Sequence, residues 1–104
     1  MAELLILIVA ALQPAGQNFE PDPAAQAVAV ERAQYMSHHG YRWHPPGLHQ
    51  VWRLGVRFEG AGWGKVGQSV RTIHTCRPRR QGLRLVADAV SCSRFGTFRI
   101  RLWR

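Results

Sequence analysis

The sequence predicts a small α+β domain: an α-β(-α) sandwich with one main N-terminal helix packed on an antiparallel sheet that closes in a C-terminal hairpin. Three observations predict it. A helix start and a helix stop bracket residues 22–40, with alanines recurring on one face between them. Residues 97–103 alternate apolar and polar side chains behind a glycine turn. The chain has 104 residues, which is room for one domain and one modest core.

The elements follow in order. Residues 4–12 (LLILIVAAL) are continuously apolar, too short for a bilayer span of about 20 residues. Residues 1–16 therefore have two readings. One is a signal peptide with small residues Ala10, Ala11 and Ala15 for cleavage, although the preceding Met-Ala-Glu carries no cation. The other is an apolar N-terminal segment of the domain itself. Residues 17–104 form the single α+β domain in either case. Export implies an extracellular or cell-envelope location, and retention of the apolar run a cytoplasmic one.

After a Pro/Gly/Asn-rich linker over 13–23, Asp22 is placed to cap a helix and Pro23 to open it. Ala25, Ala29, Ala33 and Met36 share a face, with Val28 and Tyr35 beside it, and Gly40 ends the helix. The Pro45-Pro46 pair forbids helix through 41–47. Residues 48–54 suit a short helix with Leu48, Val51 and Trp52 inward and Gly55 as its stop. Residues 56–58 read as a short strand, and the four glycines at 60, 62, 64 and 67 as a flexible loop or bulged strand. The Gly-Lys-Ser/Thr ending of a phosphate loop is absent. Residues 70–76 suggest another strand and Arg77-Pro78-Arg79-Arg80 a solvated turn. Strands over 83–90 and 97–103, joined through Ser93 to Gly96, make the hairpin, with Arg99 and Arg101 beside Trp103 on an exposed or half-exposed face.

Charge is polarised. Residues 1–52 carry two Arg against four acids, and residues 53–104 carry twelve Lys or Arg against Glu59 and Asp88. That second half would attract an acidic macromolecule or surface, whether glycan, anionic lipid or nucleic acid. The basic surface expected is Arg57, Arg71, Arg77, Arg79, Arg80, Arg99 and Arg101. A GC-rich coding sequence accounts equally well for thirteen Arg against one Lys. No RNP motif, helix-turn-helix pattern or paired-Cys finger is present. The two cysteines, Cys76 and Cys92, suit either one disulfide in an oxidising compartment or two free thiols.

Five histidines, four of them between His38 and His49, are the residues best suited to chemistry. A divalent ion such as zinc needs three or four converging donors, and no H-E-x-x-H spacing supplies them. Cys76 lies two residues from His74, but no acid is close in sequence to complete a nucleophile, base and orienter. The expectation is a non-enzymatic domain.

One stretch carries a family likeness. The helix from Asp22-Pro23-Ala24-Ala25 through Glu31-Arg32-Ala33-Gln34-Tyr35-Met36, then Ser37-His38-His39-Gly40 and Trp43-His44-Pro45, resembles the opening of the CAP superfamily, the SCP-like extracellular domains. Phe58-Glu59-Gly60-Ala61-Gly62-Trp63-Gly64 is similar to the family's Gly-Glu-Asn-Ile segment. Residues 87–90 and 96–100 are similar to its closing hairpin. The family's Trp-x-x-Ser-Pro-Gly-His helix is replaced by Ile73-His74-Thr75-Cys76-Arg77-Pro78. The resemblance implies a divergent or truncated CAP-like domain and a cleft in which His44 or His39, Glu59 and, loosely, His74 hold a divalent ion. It implies a small, basic, extracellular binding or interaction domain. The alternatives are a nucleic-acid-binding protein using an Arg-rich sheet face, or a His-based metal-binding domain.

Overall fold

The structure is a computed structural model that describes residues 5–8, as backbone, and 19–104. It is an α+β sandwich with helix α1 (Pro23–His39), the short helix α2 (Leu48–Trp52), and strands β1 (Leu5–Ile8), β2 (Phe58–Gly64), β3 (Leu85–Ser93) and β4 (Gly96–Trp103). The strands form one antiparallel sheet in the order β1-β3-β4-β2. Part of the apolar run is thus strand β1, paired with β3 from Leu5↔Cys92 to Ile8↔Ala89. Cleavage after residue 16 would remove that strand and open the β3 edge. The cleavage region, residues 10–17, lies outside the described residues.

Helix α1 forms as its termini dictate. The Asp22 carboxylate accepts the Ala25 N–H at 3.2 Å, and Pro23 occupies the first turn, where a missing N–H costs nothing. Gly40 stops the helix at φ 62°, a conformation that costs L side chains energy, and its N–H reaches the Met36 carbonyl. The helix runs to His39, with Gly40 as the expected stop. Ala25, Ala29, Ala33 and Met36 are fully buried against the sheet. With methyl groups along its contact face, α1 lies close on Ala87 and Ala89 of β3 and on Phe98, Ile100 and Leu102 of β4, which complete the main core.

The Arg104 guanidinium hydrogen-bonds to Asp22, and this bond, then that from the Ala25 N–H, holds the Asp22 carboxyl below the ordinary Asp value of about 3.9. Both bonds favour the charged form. Their stabilisation is therefore full above the unfolded-state value and is lost as pH falls through the lower folded value. Asp22→Asn keeps a good cap without the charge. The stability difference between wild type and Asp22→Asn is expected to shrink steadily below about pH 4, read from urea midpoints across an acid series.

Several elements depart from expectation. Strand β3 begins at Leu85 and continues through Ser93, where Ser91 and Ser93 bond to α1 (Ser37 Oγ at 2.7 Å and the Ser37 carbonyl at 2.6 Å), and the Ser93 hydroxyl also accepts the Phe95 N–H at 3.1 Å in the expected Ser93-to-Gly96 connection. Of the two readings of the glycine segment, flexible loop or bulged strand, residues 60–64 take the strand: they are most of β2. The expected strand at 70–76 is a 3-10 turn, Val70–Thr72, followed by an extended, unpaired run. Trp52 of α2 is 45% exposed rather than inward, while Val51 is buried as expected.

The second sheet face is where the sequence reading fails most. Arg99 and Arg101 are 2% and 4% exposed, not solvated. Asp88, fully buried on the same face, accepts from Arg99 Nε at 3.0 Å and Nη2 at 2.9 Å, and from Arg101 Nε at 3.1 Å. Burial, with Asp88 opposing it and Arg99 adding to it, holds the Arg101 guanidinium below its ordinary value. Arg99 Nη1 also donates to the carbonyls of Val70 (3.3 Å) and Ile73 (3.1 Å). These bonds fasten residues 65–80, a strap that covers this face.

The cysteines are not bonded: both are free thiols. Cys92 pairs with Thr97 near the hairpin turn, whereas Cys76 Sγ donates to the carbonyl of Glu59, whose β4 partner is Leu102. Five residues of strand separate Thr97 from Leu102, about 17 Å at the usual rise, and a disulfide needs Cα atoms within about 7 Å.

Candidate functional site

The site grows from an arginine on the helix face that should be apolar. Arg32 lies among Ala29, Ala33 and Met36 and is 5% exposed. Such a cation is tolerable only when every donor finds an acceptor. Its Nε and Nη2 grip the Glu59 carboxylate as a fork, the Nη2 bond to Oε1 being 3.0 Å. Nη1 and Nη2 also donate to the carbonyls of Pro46 (3.0 Å) and Pro45 (2.6 Å). One guanidinium thereby fixes both β2 and the double-proline turn, and it positions the next residue.

That residue is His44. Its Nδ1 lies 2.9 Å from Glu59 Oε1, and since an ionised carboxylate only accepts, Nδ1 donates; in the neutral imidazole Nε2 then presents its lone pair. Nε2 faces the Cys76 sulfur at 4.0 Å, and the thiol also lies 3.6 Å from the Glu59 carbonyl. Glu59 is 4% exposed, the His44 side chain 25%, and Cys76 is exposed. In order of contact the groups run guanidinium, carboxylate, imidazole, thiol, the first two buried and the last exposed.

The glycines explain how Cys76 arrives there. Gly60, Gly62 and Gly64 share one face of β2, opposite Glu59 and Ala61. A Cβ on them would fall on the Cys76 carbonyl, the His74 carbonyl and the Ile73 side chain respectively. The glycine spacing, read as a flexible loop or a bulged strand, is a flat track on which the strap lies backbone to backbone. Beside His44 opens a cleft of about 220 Å3, lined by Leu48, Trp52, Phe58, Arg57, His44 and Glu59.

Of the residues expected to hold a metal, His44 and Glu59 meet. His39 stacks on Tyr35 at 4.4 Å at the end of α1, and His74 sits exposed on the strap with its carbonyl over Gly62. Among the described residues no three His, Cys, Asp or Glu side chains form a group able to hold a metal ion. His44 turns one nitrogen to Glu59 and the other to Cys76, so the three do not surround a common point. The donors do not fit a divalent ion. Of the expected basic surface, Arg57, Arg71, Arg77, Arg79 and Arg80 are exposed, while Arg99 and Arg101 are not. An Arg-rich sheet face for nucleic acid is therefore not presented.

Sequence reasoning missed Arg32 and the place of Cys76. An unmatched Arg on an alanine face was a readable signal for the first. The second depends on the crossing of strap and strand, which no spacing encodes. Among the described residues no helix is long and apolar enough to cross a membrane. The fold and site define the class, a small α+β domain with an internally wired His–Glu–Arg centre. Compared with known protein families, curated proteins and solved structures, the chain matches none.

Proposed function

We propose that this chain is an exported, CAP-like binding domain that engages an acidic glycan through its basic strap. The observation that carries the reading is the distribution of counter-charge. Four of the five described acids are already paired within the chain: Glu20 with Arg84 and Asp22 with Arg104 at the surface, Glu59 with Arg32 and His44, and Asp88 with Arg99 and Arg101 in the interior. Residues 65–80 hold Lys65, Arg71, Arg77, Arg79 and Arg80 and no acid, and the four arginines are exposed. That concentrates the positive field on one segment. The CAP-like part of the reading draws support from the pairing of His44 with Glu59, two positions that the resemblance maps to the family's cleft. Binding rather than catalysis by the strap's arginines follows from their chemistry, since arginine supplies charge and donors but no proton transfer.

A sulfated glycan on a sensor surface tests it. Binding is expected to weaken linearly in log–log with salt, and Arg77→Ala/Arg79→Ala/Arg80→Ala to flatten that slope by about one per cation removed. Equal binding by the triple variant overturns the reading, as does preference for single-stranded nucleic acid. Secretion is checked separately by the N-terminus of the mature chain, expected within residues 11–17.

A further inference from the structure

We propose that Cys76, His44 and Glu59 form a nucleophilic thiol site that takes an acyl group from an activated ester of a small apolar acid. This goes beyond glycan binding and does not depend on it. Covalent catalysis needs a nucleophile, a base within reach of its proton, and a third group that orients the base. The three stand in that order. Glu59 is locked by the Arg32 fork and cannot turn away. Its carboxylate fixes the tautomer of His44, and Nε2 is left as an acceptor facing the sulfur at 4.0 Å. Sulfur bonds are long, and catalytic contacts tighten when substrate seats.

Two further observations point to a substrate. The thiol is exposed, as an attacking atom must be, although the carboxylate behind it is buried. The adjoining cleft of about 220 Å3 has Leu48, Trp52 and Phe58 for an apolar acyl chain. His44 is in its lining, so a carbonyl seated at that end lies beside the base. Cys92 supplies the contrast. It sits partly buried on β3, where its thiol donates to Thr97 Oγ1 at 3.7 Å, and among the described residues no imidazole is bonded to it.

The step balances without a further reagent. His44 Nε2 accepts the Cys76 thiol proton as the sulfur attacks the carbonyl carbon. The S–C bond forms, the ester C–O bond breaks, and His44 returns the proton to the leaving oxygen as an alcohol. The acyl group remains on Cys76 as a thioester. Water then attacks that carbonyl with His44 as base, releasing the acid and restoring the thiol. No group is oxidised or reduced.

The test uses the full chain, 4-nitrophenyl butyrate as the acyl donor and iodoacetamide as a probe of the thiol. Cys76 is expected to alkylate much faster than Cys92, read peptide by peptide in a mass spectrometer. His44→Gln should lower the Cys76 rate on the order of a hundredfold and leave the Cys92 rate alone. A butyryl mass should appear on Cys76 during a nitrophenol burst, be lost in Cys76→Ser, and persist in Cys92→Ser. Equal Cys76 alkylation in wild type and in His44→Gln, with an unchanged melting temperature, overturns the proposal. If His44→Gln melts early, the butyryl mass in the wild-type chain decides: its absence from Cys76 overturns the site.

Discussion

Asp88→Asn is expected to destabilise the protein by about 3–5 kcal/mol, the usual cost of removing one partner from a buried ion pair. Small domains are stable by about 5–15 kcal/mol in total, so the variant should lose a large share of its stability and unfold at a much lower urea concentration. The amide keeps the shape of the side chain, so the effect isolates charge. Asp88 is fully buried and holds two guanidiniums that are themselves almost inaccessible. Neutralised, it no longer offsets the two buried guanidiniums it pairs with. The companion variant, Asp88→Leu/Arg99→Met/Arg101→Met, removes all three charges and is expected to recover much of the loss, since burying ions is costly even when they are paired. It also deletes the Arg99 bonds to the Val70 and Ile73 carbonyls, so limited proteolysis should cut the strap faster than in wild type at equal global stability. Urea midpoints and protease mapping read both. A wild-type midpoint for Asp88→Asn would mean that the trio carries no such energy.

This face also marks how far the sequence could be read. The helix was legible because its signals are local: cap, proline, alanine spacing and a glycine stop all lie within residues 22–40. The hairpin was legible because Phe98, Ile100 and Leu102 alternate within one strand. Arg99 and Arg101 share that alternation, and a polar residue on an alternating strand reads as solvent-facing. Their burial depends on Asp88, eleven residues earlier for Arg99, and on a strap with no regular structure of its own. Neither leaves a periodic trace. The glycines of β2 deceived for a related reason. Glycine is depleted in strands, yet here a side chain would collide with the strap, so tertiary contact overrides the local preference. For the site, His44 and Glu59 were singled out as residues suited to chemistry. Their pairing and the approach of Cys76 follow from the strand crossing, so the thiol was paired in sequence with His74 and in space with His44.

The Arg32–Glu59 pair should give the other large effect, and a double-mutant cycle is the way to see it. Arg32→Ala leaves a buried carboxylate with only His44 beside it and strands the Pro45 and Pro46 carbonyls. Glu59→Ala leaves a buried guanidinium. Each single change is expected to cost about 3–5 kcal/mol. The double variant should cost far less than their sum, because the second removal relieves the charge stranded by the first. Strict additivity in thermal and urea unfolding would show that the fork is incidental. The cycle also separates architecture from chemistry. In Arg32→Met/Glu59→Leu the helix face becomes the continuous apolar surface its neighbours Ala29, Ala33 and Met36 suggest, and the domain should keep its fold. His44 then loses the carboxylate that fixes its tautomer, and the alkylation advantage of Cys76 over Cys92 should fall although the thiol itself is untouched. A stable double variant whose Cys76 reacts as fast as wild type would place the orienting role elsewhere. Stability and thiol reactivity moving apart in this way is the behaviour expected if Glu59 orients His44 rather than merely filling space.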